Sequence, residues 1–343
     1  MANRLVAWVL AVATSLSLAA PVVAAPLTHA ECQTVLDGVD KALDHDPFPV
    51  AVSKMRSELK QHRTEYLELT DPDALSVRLT EDLRRASGDL HLNVIYEAAQ
   101  AGAPMPASPE ADAIRSAAAA YGFADVRHLP GNVGYLDLRS LSPGPKAEAY
   151  VAGAMTLLGQ AQALIIDLRK NHGGQPEVVD LLMGRVLGHR ELLLRVHERE
   201  PDGRFRVEER YSTVPPDGFH FDAPVFVLTS HATFSAGEEL AYDLQSLRHA
   251  IVVGETSGGG ANPGDVFSVA PGFDIFVPTG YVEGAATQSN WEGVGVKPDV
   301  PVPADQALVT AYELALKGIA PTNPRASAAL TDVAGALKSS VQF

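Results

Sequence analysis

Residues 224–239 read PVFVLTSHATFSAGEE. The apolar, β-branched run from Pro224 to Leu228 has the composition of a buried strand, and from Ser235 onward the spacing turns helical. Leu240, Leu244 and Leu247 then fall on one side, with Glu238, Glu239 and Asp243 elsewhere. Ser235 therefore stands at a strand-to-helix turn, in the first turn of the helix. There its side chain lies near unpaired backbone N–H groups and the positive end of the helix dipole, a setting that suits developing negative charge. Ser235 followed three residues later by Glu238 also fits a capping box, in which serine closes the helix start. The segment alone favours the cap over the nucleophile, and other parts of the chain must decide.

On either side the chain alternates strands and helices. Strands are expected at 132–138, 162–168, 191–197, 205–210, 224–229, 250–254, 265–270 and 274–278, and helices at 145–160, 176–187 and 236–247. This alternation defines an α/β layered domain over 126–310. Upstream, 26–100 reads as a three-helix domain ending in a strand, His91-Leu92-Asn93-Val94-Ile95-Tyr96, with Asp71-Pro72-Asp73 as a helix start. Residues 101–125 are expected to hold a linker rich in Ala, Pro and Gly and an alanine-rich helix, and 311–343 a loosely attached tail.

The 343 residues are 46% hydrophobic and 20% charged, which describes a globular chain. With 42 acidic against 27 basic residues the net charge is −15, which argues against nucleic acid or an anionic membrane as the main partner. Arg4, the apolar stretch from Leu5 and the small Ala24 and Ala25 form a secretory signal over 1–25, so the chain is expected to be exported to a periplasm or the extracellular space. Membrane contact is expected only if that segment stays uncleaved. The single cysteine, Cys32, excludes an intrachain disulfide.

Four further features carry chemistry. Residues 163–174 (ALIIDLRKNHGG) are an apolar strand ending in paired glycines, whose backbone can take positive φ and line an oxyanion site. Residues 254–264 (GETSGGGANPG) lack the endings of phosphate-binding loops, so no nucleotide cofactor is expected. A serine needs a base. His91, after Ser87-Gly88-Asp89-Leu90, and His172 and His231, in the glycine turn and serine loop, are candidates, while Glu292 in NWEGVGVKPD is an acid able to orient a histidine. No HExxH helix and no Cys/His ligand set is present, so no metal is expected.

Taken in order, DLRKNHGG, TSHATFSAGEE, IVVGETSGGGANPG and NWEGVGVKPD resemble the C-terminal processing, or tail-specific, serine peptidase family over roughly residues 131–305, with SGDLHL upstream. The resemblance implies a ββα superhelix of the Clp protease and crotonase type. It implies Ser235 as nucleophile and the amides of Gly174 and Ala236 as oxyanion hole. Bacterial processing peptidases use a lysine base at a position matching about Gly260, where this chain has none. The branch similar to interphotoreceptor retinoid-binding protein and the tricorn core has a histidine where SGDLHL stands, which implies His91 as base and Glu292 as its orienter. About forty residues separate His91 from Gly131, too few for the PDZ domain of processing peptidases.

The function expected is therefore an exported serine peptidase of Ser/His type acting on peptides. Two alternatives remain at this level: a non-catalytic protein for retinoid-like or fatty-acid ligands, and an esterase or amidase acting on small hydrophobic carbonyl compounds.

Overall fold

The computed structural model of the chain describes residues 25–97, 109–200, 202–319 and 322–339. The expected secretory segment, apart from Ala25, and most of the expected linker lie outside the described residues. In chain order the elements are α1 (His29–Ala42), α2 (Pro49–Gln61), α3 (Arg63–Glu68), α4 (Pro72–Ser87), β1 (Asn93–Tyr96), α5 (Pro109–Ala118), β2 (Phe123–Leu129), β3 (Val133–Leu138), α6 (Ala147–Leu158) and β4 (Ala163–Asp167). There follow α7 (Pro176–Leu187), β5 (Leu192–Arg199), β6 (Phe205–Tyr211), β7 (Val225–Thr229), α8 (Ala236–Arg248), β8 (Ile251–Gly254), β9 (Gly264–Ala270), β10 (Phe273–Pro278), β11 (Gly280–Gly284), β12 (Val300–Pro301), α9 (Ala304–Ile319) and α10 (Pro324–Ser339).

The N-terminal part holds four helices rather than the three expected. The apolar pattern from Val50 to Leu69 is continuous in sequence, but the backbone leaves helical geometry at His62 (φ −97°, ψ 10°) and divides it into α2 and α3. Sequence punctuation sets the other ends. Thr28 and Glu31 form a reciprocal capping box on α1, Asp71 accepts the Ala74 N–H at 2.9 Å ahead of Pro72, and Gly88 closes α4 at φ 84°.

A six-stranded sheet, order β12-β8-β7-β4-β3-β2, forms the centre of the larger part; β2 runs antiparallel to β3 and the other pairings are parallel. Its middle strands, ALIID and VFVLT, are buried at every position, as parallel strands covered on both faces must be. Leu164, Ile166, Val225 and Val227 pack with residues of α6, α7 and α8. Ile165, Phe226 and Leu228 face the other way, onto Ala307, Ala311, Ala315 and Leu316 of α9 and Ala326 and Ala329 of α10. Helices α9 and α10 thus cover one face of the sheet, and the alanine-rich segment expected as a loose tail is part of a core. The molecule is a mixed α/β fold with an N-terminal helical region.

Two smaller sheets flank this centre, with orders β11-β5-β6 and β1-β10-β9. The second joins distant parts of the chain. Val94 of β1 pairs with Ile275 of β10, and Phe273, Ile275 and Val277 fill the same core as Leu36, Met55, Leu75, Leu79 and Leu83 of the helices. The helical part therefore builds its core around a hairpin that comes almost two hundred residues later in sequence.

Candidate active site

Ser235 lies beyond the carboxyl end of β7, where α8 begins. The loop between them is fastened to the neighbouring strand: the Ser230 and Thr233 hydroxyls donate to the Arg169 and Leu168 carbonyls at 2.6 and 2.8 Å, and the Phe234 N–H donates to Asn171 O at 3.0 Å. Ser235 has φ 53° and ψ −128°, a conformation that costs a residue with a Cβ about 1–3 kcal/mol and persists only where surroundings over-determine it. Glu238 is one such constraint, since its Oε2 accepts the Ser235 N–H at 3.0 Å. Gly173 is another. A Cβ there would stand 2.8 Å from the Ser235 Cβ, so only glycine, at φ 97°, admits the serine.

Gly174 follows at φ 140° and is held against Leu141 by Leu141 N–H to Gly173 O (2.9 Å) and Gln175 N–H to Leu141 O (2.7 Å). Among the described residues the N–H groups of Gly174 and Ala236 make no hydrogen bond, and both residues border one cavity of about 210 Å³ with Ser235. Two free amides beside a hydroxyl at a helix start are the donors that an oxyanion needs. Asn171, fully buried, supports both sides: its Oδ1 accepts the Gly173 N–H at 2.8 Å, its Nδ2 donates to Leu138 O at 2.9 Å, and its carbonyl holds Phe234.

His91 lies just before β1, in a turn closed by its own N–H donating to Asp89 Oδ1 at 2.7 Å. Its ring packs on Phe234, the neighbour of Ser235, with centroids 4.6 Å apart, and on Phe276 at 5.6 Å. No hydrogen bond joins His91 to the Ser235 hydroxyl among the described residues. The buried Nδ1 lacks a hydrogen-bond partner and faces Asp89 Oδ1 at 3.7 Å. Glu292 completes the group, with one donor atom from each of Asp89, His91 and Glu292 lying within 4.8 Å of the others. Those three could also hold a divalent cation.

The two acids differ. Burial works to raise the Asp89 carboxyl, but hydrogen bonds from His91 and from Asn262 Nδ2 (3.0 Å) outweigh it and hold Asp89 below the usual carboxylate range. Glu292 is pushed up to about 7 by burial, with the charge of Asp89 adding to it, although it accepts the Ala261 and Asn262 N–H groups at 2.6 and 3.0 Å. Gly260 explains how His91 fits. A Cβ at Gly260 would meet Phe234 Cζ at 2.3 Å and His91 Cε1 at 2.6 Å, so the imidazole fills the space next to this glycine.

Sequence reasoning picked out Ser235, His91, Gly174, Ala236 and Glu292; the structure sets Ser235, Gly174 and Ala236 on one cavity, His91 against Phe234, and Glu292 beside His91. His172 and His231 make no hydrogen bond to Ser235. Three contributors were missed: Asp89, Asn171 and the full role of Glu238. Glu238 is completely buried and accepts four hydrogen bonds, from Ser257 Oγ (2.5 Å), Gly259 N (2.6 Å), Gly260 N (2.8 Å) and Ser235 N (3.0 Å). Burial raises its carboxyl against these bonds. The only sequence signal for it was its capping-box spacing from Ser235.

Residues 132–302 match Peptidase family S41, and residues 19–121 match the N-terminal domain of Peptidase_S41 in eukaryotic IRBP. The chain belongs to peptidase family S41. It is similar to the carboxyl-terminal-processing protease of Synechocystis, 27% identical over 271 residues that make up 78% of this chain and 60% of that protein. It is also similar to the carboxyl-terminal-processing protease of Picosynechococcus, 30% identical over 173 residues, 50% of this chain and 40% of that protein. The chain spans between 34% and 60% of the length of the curated relatives it matches. Among solved structures, a putative peptidase from Parabacteroides merdae shares the fold with a TM-score of 0.58 at 20% identity, covering 84% of this chain and 97% of that one. A lipoprotein from Streptococcus agalactiae does so at 0.56 and 15%, covering 86% and 98%.

Proposed function

We propose that this chain is an exported serine peptidase that hydrolyses peptides with Ser235 as nucleophile and His91 as base. The observation that carries this is the strained Ser235 set beside two unpartnered amides, those of Gly174 and Ala236. The Ser235 hydroxyl attacks the substrate carbonyl and passes its proton to His91, while the two amides receive the oxyanion. The imidazolium then protonates the leaving amine, and water releases the acyl group by the reverse sequence. In apo sites such nucleophile–base contacts are commonly open and close on substrate binding.

Asp89 is the nearer and better ionised partner for His91 Nδ1, and we assign it the orienting role expected of Glu292. Glu292 would then act as a second acid close to the imidazole. A Ser/Lys dyad has no support at Gly260, since a side chain there would collide with the His91 and Phe234 rings. The ββα superhelix of the Clp protease and crotonase type accords with helices α6, α7 and α8 each following a strand onto one face of the sheet. Export rests on the apolar N-terminal segment and its Ala24-Ala25 end.

A fluorophosphonate probe and a peptide panel test the assignment. Wild-type protein should label and turn over, Ser235→Ala should do neither, and His91→Ala and Asp89→Asn should lower kcat by about 100-fold or more with KM little changed. Labelling and turnover that survive Ser235→Ala would refute it. A second use of the fold, retention of a retinoid-like or fatty-acid ligand without turnover, is favoured by one observation, the missing His91–Ser235 hydrogen bond. It predicts lipid in extracts of the purified protein and no labelling.

A further inference from the structure

The cavity of about 210 Å³ beside Ser235 is walled on its far side by one face of the β11-β5-β6 sheet. Val196 and Glu198 of β5, Glu208 and Arg210 of β6 and Val282 of β11 all line it, because residues two apart on a strand share a face. Trp291 and Pro263 add apolar surface.

The charges in this wall do not cancel. At the floor, Arg210 Nη2 lies 2.6 Å from Asp180 Oδ1 and 2.8 Å from Glu239 Oε1, and it also donates to the Pro176 carbonyl at 3.1 Å. One guanidinium thus answers two carboxylates. Glu239 is 5% exposed, and its Oε1 gains no aligned hydrogen bond even at that distance from Arg210. Behind it Asp243 is buried with Oδ2 unpartnered, and burial raises both Asp243 and Glu239 above the usual carboxylate range. At the rim, Glu198, Glu200 and Glu208 share the single Arg206. The lining therefore combines apolar side chains with a rim where three glutamates answer one arginine, and apolar walls strengthen the field acting on a charge inside.

We propose that this cavity takes a cationic side chain, lysine- or arginine-like, from the substrate residue whose carbonyl Ser235 attacks. A long aliphatic stem lies along Val196, Val282 and Trp291 while its charged end meets the rim glutamates Glu198 and Glu208. An acidic side chain would be repelled, and a purely aliphatic one would leave the negative excess uncompensated. This rests on the hydrolase assignment of Ser235.

The experiment uses the full-length protein and three peptidyl thioesters that differ only at the residue supplying the scissile carbonyl: lysine, norleucine or glutamate. The expected kcat/KM order is lysine over norleucine by about tenfold or more, with glutamate last. The double variant Glu198→Gln, Glu208→Gln should cut the lysine-to-norleucine ratio at least threefold, whatever it does to absolute rates. Labelling of Ser235 by a fluorophosphonate is measured in parallel. Labelling and turnover with norleucine equal to or better than lysine, or a ratio unmoved by the double variant, overturn the cavity assignment and leave the hydrolase standing. Failure of all three esters together with absent labelling overturns the hydrolase and the cavity assignment with it.

Discussion

Replacing Glu238 by glutamine should loosen the nucleophile without removing any group that touches substrate. The carboxylate accepts two hydrogen bonds on each oxygen, from Ser257 and Gly259 on one and from Gly260 and Ser235 on the other. A glutamine amide offers one oxygen and one NH2, so whichever way it turns, two of the four donors face a donor. Ser257 can rotate its hydroxyl to accept, so the amide turns its nitrogen that way, and Gly259 N–H loses its partner. One orphaned buried donor costs about 1–3 kcal/mol, and the weakening of the two remaining charge-assisted bonds adds about 1 kcal/mol. Relief of the burial that raises the Glu238 carboxyl offsets part of this. A net loss of about 2–3 kcal/mol corresponds to a Tm lower by roughly 3–5 °C for a chain of this size. Differential scanning calorimetry measures the shift, and the rate of fluorophosphonate labelling at 20 °C, where the variant stays folded, reports the nucleophile. A Tm within about 1 °C of wild type and an unchanged labelling rate would show that the four bonds neither stabilise the fold nor hold Ser235.

Glu292 binds its proton up to about 7 in the folded chain and up to 4.5 when unfolded. Its folded pKa is raised, so its contribution to stability is greatest below 4.5 and is lost as pH climbs to 7; the loss is on the order of 3 kcal/mol or less. Urea unfolding of wild type and Glu292→Gln at pH 5 and pH 8 should show wild type losing more stability across the interval, and identical pH dependence refutes the assignment. Gly173→Ala, which sets a Cβ 2.8 Å from that of Ser235 at φ 97°, should lower kcat/KM by about tenfold to a hundredfold while far-UV circular dichroism is retained. Full activity in that variant would mean the turn and the serine are not in contact. A fragment spanning residues 26–97 should fail to show the sharp near-UV signal and cooperative melting of a packed core, because Phe273, Ile275 and Val277 are missing from it. A cooperative melt of that fragment would contradict the shared core.

The central strands and the helices packed on them were legible because their spacing is regular: PVFVL and ALII are apolar throughout, and α7 and α8 carry clean helical periodicity. Strand β2 was not, since FADVRHL has only a few apolar positions and alternates burial weakly at the sheet edge. Strand β11, GYVEG, is bounded by glycines and too short to stand out. The division at His62 escaped notice because the apolar pattern runs on across it. In the site, Ser235 and the glycine turn announce themselves locally, whereas Asp89 acquires its setting from Asn262, 173 residues away. Asn171 and Glu238 were hidden for a related reason: apart from the Ser257 hydroxyl on Glu238, their partners are backbone groups, which carry no residue-specific signal.

The hairpin of β9 and β10 also sets an order of events. His91 is translated early, but the sheet that seats β1 and the core beneath it wait for Phe273, Ile275 and Val277. A chain emerging from a ribosome therefore carries His91 and Ser235 on parts whose shared core is still incomplete, and the proposed catalytic pair can be assembled only after residue 278 has followed.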